Sequence, residues 1–201
     1  MDVKELIHFV GLLEKLKCNT RHSWTSSGRK ESVAEHSFML AVMAYLVKDE
    51  FPEADMDKVI RMCLLHDFGE AVTGDIPAFE KTKEDERTEE DAVDALLREL
   101  PEKQYLELRV LFSEMQKMET LEAKICKGLD KMEAVLQHNE APIETWLPLE
   151  YELQLIYGEK EVAFSSYLTQ LRRQLNEDTR QKIEREGEPV RQERNEEQNE
   201  R

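Results

Sequence analysis

The stretch HDFGEAVTGDIP, residues 66–77, lies where the chain changes from a regular apolar pattern to an irregular polar one. Asp55 is suited to cap a helix that precedes this stretch. The apolar positions of that helix recur at helical spacing and are Val59, Met62, Cys63 and Leu64-Leu65. The segment Val72 to Pro77, with Gly74, Asp75 and Pro77, is typical of a tight turn that connects two helices. The sequence therefore places an imidazole and a carboxylate, His66 and Asp67, at the end of an amphipathic helix.

Helical periodicity extends in both directions from this stretch. Upstream, we expect a first helix over roughly residues 2–17, followed by an irregular loop from Cys18 to Lys30. Ser32 and Glu35 form the pattern of a capping box, which predicts a second helix running to about Glu50. Downstream, helical periodicity is present in residues 82–99, 101–117, 119–139 and 159–175. Because 7 Gly and 6 Pro are too few for the turns of a sandwich or barrel, the sequence predicts an all-α fold, a single helical bundle.

The C-terminal part of the chain has a different composition. From Asn176 onward, Ile183 and Val190 are the only aliphatic residues among Glu, Arg, Gln and Asn. Such a segment buries too little apolar area to offset the entropy of ordering it. We therefore expect one core over residues 1–175 and a charged tail over residues 176–201, either a frayed helical extension or a disordered segment.

Charge and cysteine content exclude several classes of protein. The chain carries 44 acidic and 28 basic side chains, and its formal charge of −16 repels a phosphate backbone, so we expect no nucleic-acid partner. Three cysteines without a C-x-x-C pair encode neither a disulfide framework nor a zinc knuckle, which favours a reducing, cytoplasmic location. The N-terminal residues lack the pattern of a secretory signal and no 18-residue apolar run occurs, so we expect no export and no membrane partner.

His66-Asp67 has two companions elsewhere in the chain. His36 lies in the first turn of the second predicted helix, and Asp130 lies in the amphipathic segment 119–139. Burying such side chains is costly unless a partner such as a divalent cation compensates them. Two imidazoles and two carboxylates suit Mn, Fe, Co, Ni or Zn better than Ca, with Mg a further option, and leave positions open for water and substrate. The combination predicts a catalytic rather than a closed structural metal site.

The order His36, His66-Asp67, Asp130 resembles the H…HD…D signature of the HD-domain metal-dependent phosphohydrolases. The stretches ESVAEH, residues 31–36, and HDFGEAVTGDIP are similar to the branch containing 5'-deoxynucleotidases, which release phosphate from deoxyribonucleoside monophosphates. The resemblance covers roughly residues 5–160 and implies an all-helical fold in which the four side chains bind the metal. Family branches with more than one metal have additional histidines between the HD pair and the final aspartate. This chain has no histidine from residue 67 to residue 129, so we expect one ion. Family members form dimers, so we also expect a homodimer.

The same resemblance implies roles for residues near the metal ligands. Glu70 matches a carboxylate that acts on the metal-bound water, and Asp75 matches an acid near the leaving oxygen of the bound substrate. Independently of the family, an alkoxide leaving group needs a proton donor. Arg21 and Trp24 resemble an arginine and a tryptophan that grip the phosphate and orient the nucleotide. Because no glycine-rich phosphate loop and no Ser or Cys nucleophile setting occurs, we expect direct phosphoryl transfer to water.

The predicted function is thus a metal-dependent phosphomonoesterase that converts (deoxy)ribonucleoside 5'-monophosphates to nucleoside and phosphate. One alternative keeps the metal site but changes the substrate to another small phosphate ester or to a cyclic or hyperphosphorylated nucleotide. A second alternative is a non-catalytic helical interaction protein with a structural metal. The presence of Glu70 and Asp75 argues against the second alternative, because a structural site does not need acids beside its ligands.

Overall fold

A computed structural model gives the fold. It describes the backbone of residues 1–199 and the side chains of residues 1–187. The chain divides into two compact units. The first unit comprises Met1–His22 and Lys30–Asp130, and the second comprises Ser23–Arg29 and the chain from Lys131 onward.

Helices form most of the first unit. They are α1 (Val3–Leu13), α2 (Lys15–Cys18), α3 (Val33–Leu46), α4 (Met56–Leu65), α5 (Glu70–Thr73), α6 (Lys83–Leu97), α7 (Glu102–Lys117) and the start of α8 (Leu121–Glu140). Strands β1 (Thr20–Trp24) and β2 (Lys30–Ser32) pair into one small sheet, and the rest of the described chain forms no other. The predicted all-α class is confirmed. Among the residues described, no helix combines the length and the apolar character needed to cross a membrane.

The second unit contains the end of α8 and the C-terminal helices. These helices are α9 (Glu150–Ile156), α10 (Glu159–Val162) and α11 (Ser166–Asn199), preceded by a short 3₁₀ turn at Ile143–Thr145. Arg172 on α11 donates from Nε to the Tyr157 carbonyl and from Nη2 to the Gln154 carbonyl, both at 2.7 Å. Asn176 Nδ2 donates to the Leu155 carbonyl at 2.8 Å. The carbonyls at the C-terminal end of α9, which have no partner within the helix, are thus satisfied by side chains of α11.

Helix α11 also bears on the predicted tail. It runs from Ser166 to Asn199 and passes the expected boundary between residues 175 and 176 without a break. Thr179 and Lys182, both beyond that boundary, are buried. The division into a core over residues 1–175 and a charged tail over residues 176–201 stays a prediction. The last two residues of that tail, 200 and 201, lie outside the described residues.

The segment from Cys18 to Lys30 is not the irregular loop that the sequence predicts. Most of it belongs to β1 and to the connection that leads into β2. Gly28 adopts a φ of +79°, which residues with a Cβ rarely adopt, and its N–H donates to the Thr25 carbonyl at 3.0 Å. Polar residues mask the strand pattern here, because the strands are short and the sheet has only two of them.

Three helix boundaries also differ from the prediction. The first helix breaks at Glu14 into α1 and α2, and the second ends at Leu46, before the 3₁₀ turn Lys48–Glu50. The predicted helix over residues 159–175 is two helices, α10 and α11, because residues 163–165 interrupt it. Short 3₁₀ and one-turn helices carry too few residues for an apolar period to show in sequence.

Two predicted helix caps are confirmed and fix the positions of the histidines. The Ser32 backbone N–H donates to Glu35 Oε2 at 2.9 Å, and Glu35 N–H donates to Ser32 Oγ at 3.3 Å, which completes the capping box of α3. His36 therefore lies in the first turn of α3. Asp55 caps α4 by accepting the Lys58 N–H at 3.0 Å, and α4 ends at Leu65, directly before His66.

The core of the first unit holds the HDFGE segment in place. Phe68 is buried and packs against Phe9 and Phe112, with both ring centroids 6.4 Å away. Gly69 lies against α6 so closely that a Cβ there would be 2.8 Å from Glu89 Cγ and 3.1 Å from the Glu89 backbone oxygen. A backbone atom cannot move aside as a side chain does. The absence of a side chain at position 69 therefore lets α6 approach the segment that carries His66 and Asp67.

The close packing at Gly69 predicts opposite effects for two Gly→Ala substitutions. Gly69→Ala should lower the free energy of unfolding by about 1–3 kcal/mol, because overpacking outweighs the gain in helix propensity. Gly11→Ala, on α1 with nothing within 4 Å of the added methyl group, should raise it by about 0.5–1 kcal/mol. Urea unfolding followed by circular dichroism measures both, and equal effects of the two substitutions would contradict the packing argument.

Candidate functional site

Four side chains from three separate parts of the sequence converge in the first unit. His36 comes from the start of α3, His66 and Asp67 follow α4, and Asp130 lies on α8. His36 Nε2 is 3.3 Å from Asp130 Oδ1 and 3.8 Å from Asp67 Oδ2. His66 Nε2 is 3.1 Å from Asp67 Oδ1 and 3.9 Å from Asp130 Oδ1. Both imidazoles thus present Nε2 to the same pair of carboxylates.

The spacing of these atoms fits the ligand set of one metal ion. Two ligand atoms that each lie about 2.1 Å from an ion are about 3.0 Å apart at a right angle and about 3.4 Å apart at a tetrahedral angle. The observed distances of 3.1–3.9 Å lie near that range. The set of two imidazole nitrogens and two carboxylates is also one that divalent transition metals favour. The residues present therefore fit a divalent ion.

The orientation of His66 supports the same interpretation. Its Nδ1 lies 2.9 Å from the Cys63 carbonyl, which accepts only, so Nδ1 carries the proton and donates it. Nε2 then faces Asp67 Oδ1 at 3.1 Å. A backbone carbonyl that fixes the ring through the other nitrogen is the usual arrangement for a metal-binding histidine.

Charge dominates the titration of the pair His66 and Asp67. Burial alone would lower the pKa of His66, but the charge and hydrogen bond of Asp67 and the charge of Asp130 raise it to about 9. Burial works in the opposite direction on Asp67, and the charges of His66, His36 and Arg21 outweigh it and hold the pKa of that carboxyl well below its usual value. Without another cation, a proton on the His66 imidazole helps to balance the buried carboxylates.

Two further acids lie close to the four side chains. Glu70 is buried at the start of α5, and a carboxylate oxygen of Glu70 lies within 4.8 Å of one of Asp67. Burial and the charges of Asp67 and Asp75 raise the pKa of Glu70 to about 10. For Asp75, burial raises the pKa, the charge of Arg21 opposes this, and the charge of Asp67 adds to it. The structure thus groups Glu70 and Asp75 with the residues around Asp67.

Arg21 reaches the same place from strand β1. Its Nε is 3.3 Å from Glu31 Oε2, and its Nη1 is 3.7 Å from Asp67 Oδ2. The side chain of Arg21 is 14% exposed, whereas that of Glu31 is 2% exposed. The guanidinium therefore lies between a buried acid of β2 and Asp67.

Trp24 belongs to the second unit. Its carbonyl accepts a hydrogen bond from Gln137 Nε2 at 2.8 Å, and the neighbouring Ser23 Oγ lies 3.4 Å from His138 Nδ1. Both contacts fix the end of β1 to α8 within that unit. The role of Trp24 beside the four converging side chains stays a prediction.

Three residues of the site were missed at the sequence level. Glu31 is the buried partner of Arg21, Glu89 lies within 4.8 Å of Asp67 and Glu70, and Lys127 donates from Nζ to Asp130 Oδ2 at 2.9 Å. Glu31 stands inside the stretch ESVAEH, so its position beside the capping box was the available signal. Glu89 and Lys127 lie on charged, helix-periodic segments, where nothing distinguishes them from solvent-facing residues.

Known proteins resemble the chain in sequence and in structure. The HD domain family model matches residues 13–172. The 5'-deoxynucleotidase HDDC2 of Homo sapiens is 37% identical over 141 residues, which cover 68% of each chain. The 5'-deoxynucleotidase hdd1 of Schizosaccharomyces pombe is 29% identical over 140 residues, which cover 66% of this chain and 70% of the yeast protein. The crystal structure of a predicted metal-dependent phosphohydrolase from Magnetospirillum magnetotacticum MS-1 superimposes with a TM-score of 0.76 and 28% identity, covering 89% of this chain and 93% of that one.

The convergence of the four side chains predicts a specific loss of metal. His36→Ala and His66→Ala should each reduce the manganese retained after dialysis at least about tenfold, because losing even a residue that only supports a ligand weakens metal binding about 10–100-fold. His8→Ala is the control, since His8 is exposed and pairs with Glu99. Elemental analysis of the dialysed proteins gives the metal content. Full retention of manganese in both site variants would remove the histidines from the ligand set.

Proposed function

The chain belongs to the HD domain family, and we propose that it hydrolyses deoxyribonucleoside 5'-monophosphates to nucleoside and phosphate as a metal-dependent phosphohydrolase. The observation that carries the proposal is the convergence of His36, His66, Asp67 and Asp130 in one buried place. Relatives from man and fission yeast that bear the name 5'-deoxynucleotidase support the substrate class. The family expected from the sequence is confirmed.

We propose that His36, His66, Asp67 and Asp130 hold one divalent transition metal ion, with Mn, Co, Fe, Ni or Zn preferred and Mg as an option. The ligand chemistry of two imidazoles and two carboxylates supports this choice. When bound, such an ion supplies positive charge to the phosphate oxygens and lowers the pKa of water. An ion held by fewer than six protein ligands would have positions left for a phosphate oxygen and for a water molecule.

Glu70 and Asp75 supply the proton transfers in this proposal. Glu70 lies within 4.8 Å of Asp67, and a divalent ion held there would offset the negative charge that raises the pKa of Glu70. Its carboxylate would then orient the attacking water and accept its proton. Asp75 gives a proton to the 5'-oxygen of the sugar, because an alkoxide is a poor leaving group. Glu70 lies at the start of α5 and Asp75 lies beyond its end. The two acids are therefore separate, and one acts on the water while the other acts on the leaving group.

Substrate recognition falls to Arg21 and Trp24. The guanidinium of Arg21 offsets the charge of the phosphate, and its planar fork suits two phosphate oxygens. This contribution matters because the chain as a whole carries a formal charge of −16. The indole of Trp24 offers a flat apolar surface to the sugar or base.

We further propose that the protein acts as a homodimer in the cytoplasm. An apolar stripe on α1 supports a second copy as the partner, because Val3, Leu6, Ile7 and Val10 are all exposed at helical spacing. Cys18, Cys63 and Cys126 are free thiols, as is usual in a reducing compartment.

Replacement of Glu70 separates catalysis from metal binding. Glu70→Gln keeps the size of the side chain but removes its basicity, so the rate of phosphate release should fall about 10²–10⁴-fold. Metal content should be unchanged, because the four ligands remain. Glu86→Gln on the exposed face of α6 controls for the loss of one negative charge. Turnover that stays near normal in Glu70→Gln would exclude Glu70 from the proton transfer.

A substrate panel tests the proposed substrate class. Purified protein with Mn, Co, Mg or Zn should release phosphate faster from deoxyribonucleoside 5'-monophosphates than from p-nitrophenyl phosphate, because the proposed contact of Trp24 is with the sugar or base. Trp24→Ala should reduce this preference, whereas Arg21→Lys should slow both substrates, since an ammonium cannot form the bidentate contact. Equal losses on both substrates in Trp24→Ala would favour a broad phosphatase over a nucleotidase.

A further inference from the structure

Lys127 is a cation that the proposed mechanism does not use. It lies one turn before Asp130 on α8, and its Nζ donates to Asp130 Oδ2 at 2.9 Å. The other carboxylate oxygen of Asp130, Oδ1, faces His36 at 3.3 Å and His66 at 3.9 Å. The two oxygens of Asp130 therefore have different partners. Oδ1 belongs to the converging side chains, and Oδ2 is held by Lys127.

Exposure distinguishes Lys127 from the other cations near these side chains. The side chain of Lys127 is 44% exposed, compared with 14% for Arg21 and 27% for Lys81. Arg21 lies between Glu31 and Asp67, and Lys81 forms a close ion pair with Glu89. A long, half-exposed lysine can change its partner by rotating its side chain, whereas the two more buried cations are held by their surroundings.

The charge around the site makes such a cation useful. Five acids of the first unit, Glu31, Asp67, Glu70, Asp75 and Asp130, are grouped by the contacts and charge interactions described above. A phosphate monoester dianion that approaches them meets repulsion unless cations balance it. A divalent ion held by Asp130 would weaken the attraction of that carboxylate for Lys127, because the charge of Asp130 would then be shared.

We propose that Lys127 is a substrate-binding residue, whose ammonium group leaves Asp130 and donates to a phosphate oxygen of the bound nucleotide. This inference rests on the proposed function and adds a second phosphate contact beside Arg21. In the free protein Lys127 keeps Asp130 Oδ2 paired and leaves Oδ1 directed toward His36 and His66. In the substrate complex the same ammonium group balances the phosphate.

The test measures phosphate binding separately from turnover. Inorganic phosphate is titrated calorimetrically into the manganese-loaded full chain, for the wild type, Lys127→Met, Lys127→Arg and Lys124→Met. Lys127→Met should weaken phosphate binding about tenfold, the lower range for a hydrogen bond to a charged group. Lys127→Arg keeps the charge and should stay within about threefold of the wild type. Lys124→Met removes the same charge from the same helix and should have no effect.

Steady-state kinetics and metal content complete the test. With a deoxyribonucleoside 5'-monophosphate, Lys127→Met should raise KM about tenfold and change kcat by less than about threefold, as expected for a contact made equally in the ground and transition states. Manganese content should match that of the wild type. A residue that only braced α8 would not produce a change confined to phosphate affinity and KM.

Several results would overturn the proposal. Unchanged phosphate binding in Lys127→Met would exclude the contact, as would a wild-type protein that binds no phosphate. Loss of manganese in Lys127→Met would show that the lysine acts on Asp130 rather than on substrate. A wild type that hydrolyses nucleotides while Lys127→Met behaves identically would remove this inference alone. A wild type that binds phosphate through Lys127 but hydrolyses no nucleotide would leave the inference standing and contradict the proposed function.

Discussion

The mutual repulsion of buried carboxylates is the constraint on which the site depends. Asp67 and Asp130 both lie within 4 Å of His36 Nε2 and of His66 Nε2, in a place where water screens little. Two such charges are stable only when cations or protons balance them. The raised pKa of His66 and the lowered pKa of Asp67 show protons in this role. A divalent ion would balance the same carboxylates and leave the imidazoles neutral, which is the form that binds metals.

The fold makes this arrangement rigid through apolar packing just outside it. Phe68 follows Asp67 directly and is buried between Phe9 and Phe112. Gly69 allows α6 to lie against the same segment. Helices α3 and α4 begin at satisfied caps. The cap of α3 puts His36 in the first turn of that helix, and His66 directly follows the last residue of α4. Packing, backbone conformation and capping therefore act together to hold the charged side chains where the hydrophobic effect alone would not place them.

The sequence predicts those parts of the structure whose signals are local. The capping box at Ser32 and the cap at Asp55 depend on residues three positions apart, so the sequence alone indicates where both helices begin. The sheet of β1 and β2 could not, because its polar strands carry no apolar alternation. The segment around Trp146 and Tyr151 was also missed. Its core packing, and the capping of α9 by Arg172, require side chains that are distant in sequence.

The same distinction applies to the site. The family resemblance indicates His36, His66, Asp67 and Asp130, and the structure brings all four together. Glu31 and Lys127 were not found, because an acid beside Lys30 and a lysine three residues before an aspartate look like ordinary surface pairs in sequence. Only the burial of Glu31 and the second partner of Asp130 distinguish them. Residues whose roles depend on contacts that form only in the folded chain leave little trace in a single sequence.

Anomalous X-ray scattering from crystals of the full chain grown with manganese tests the central claim most directly. The account predicts one strong peak within about 2.0–2.3 Å of Nε2 of His36, Nε2 of His66 and one carboxylate oxygen each of Asp67 and Asp130. A peak bound by other side chains, or the absence of a peak between these four residues at saturating manganese, would contradict it.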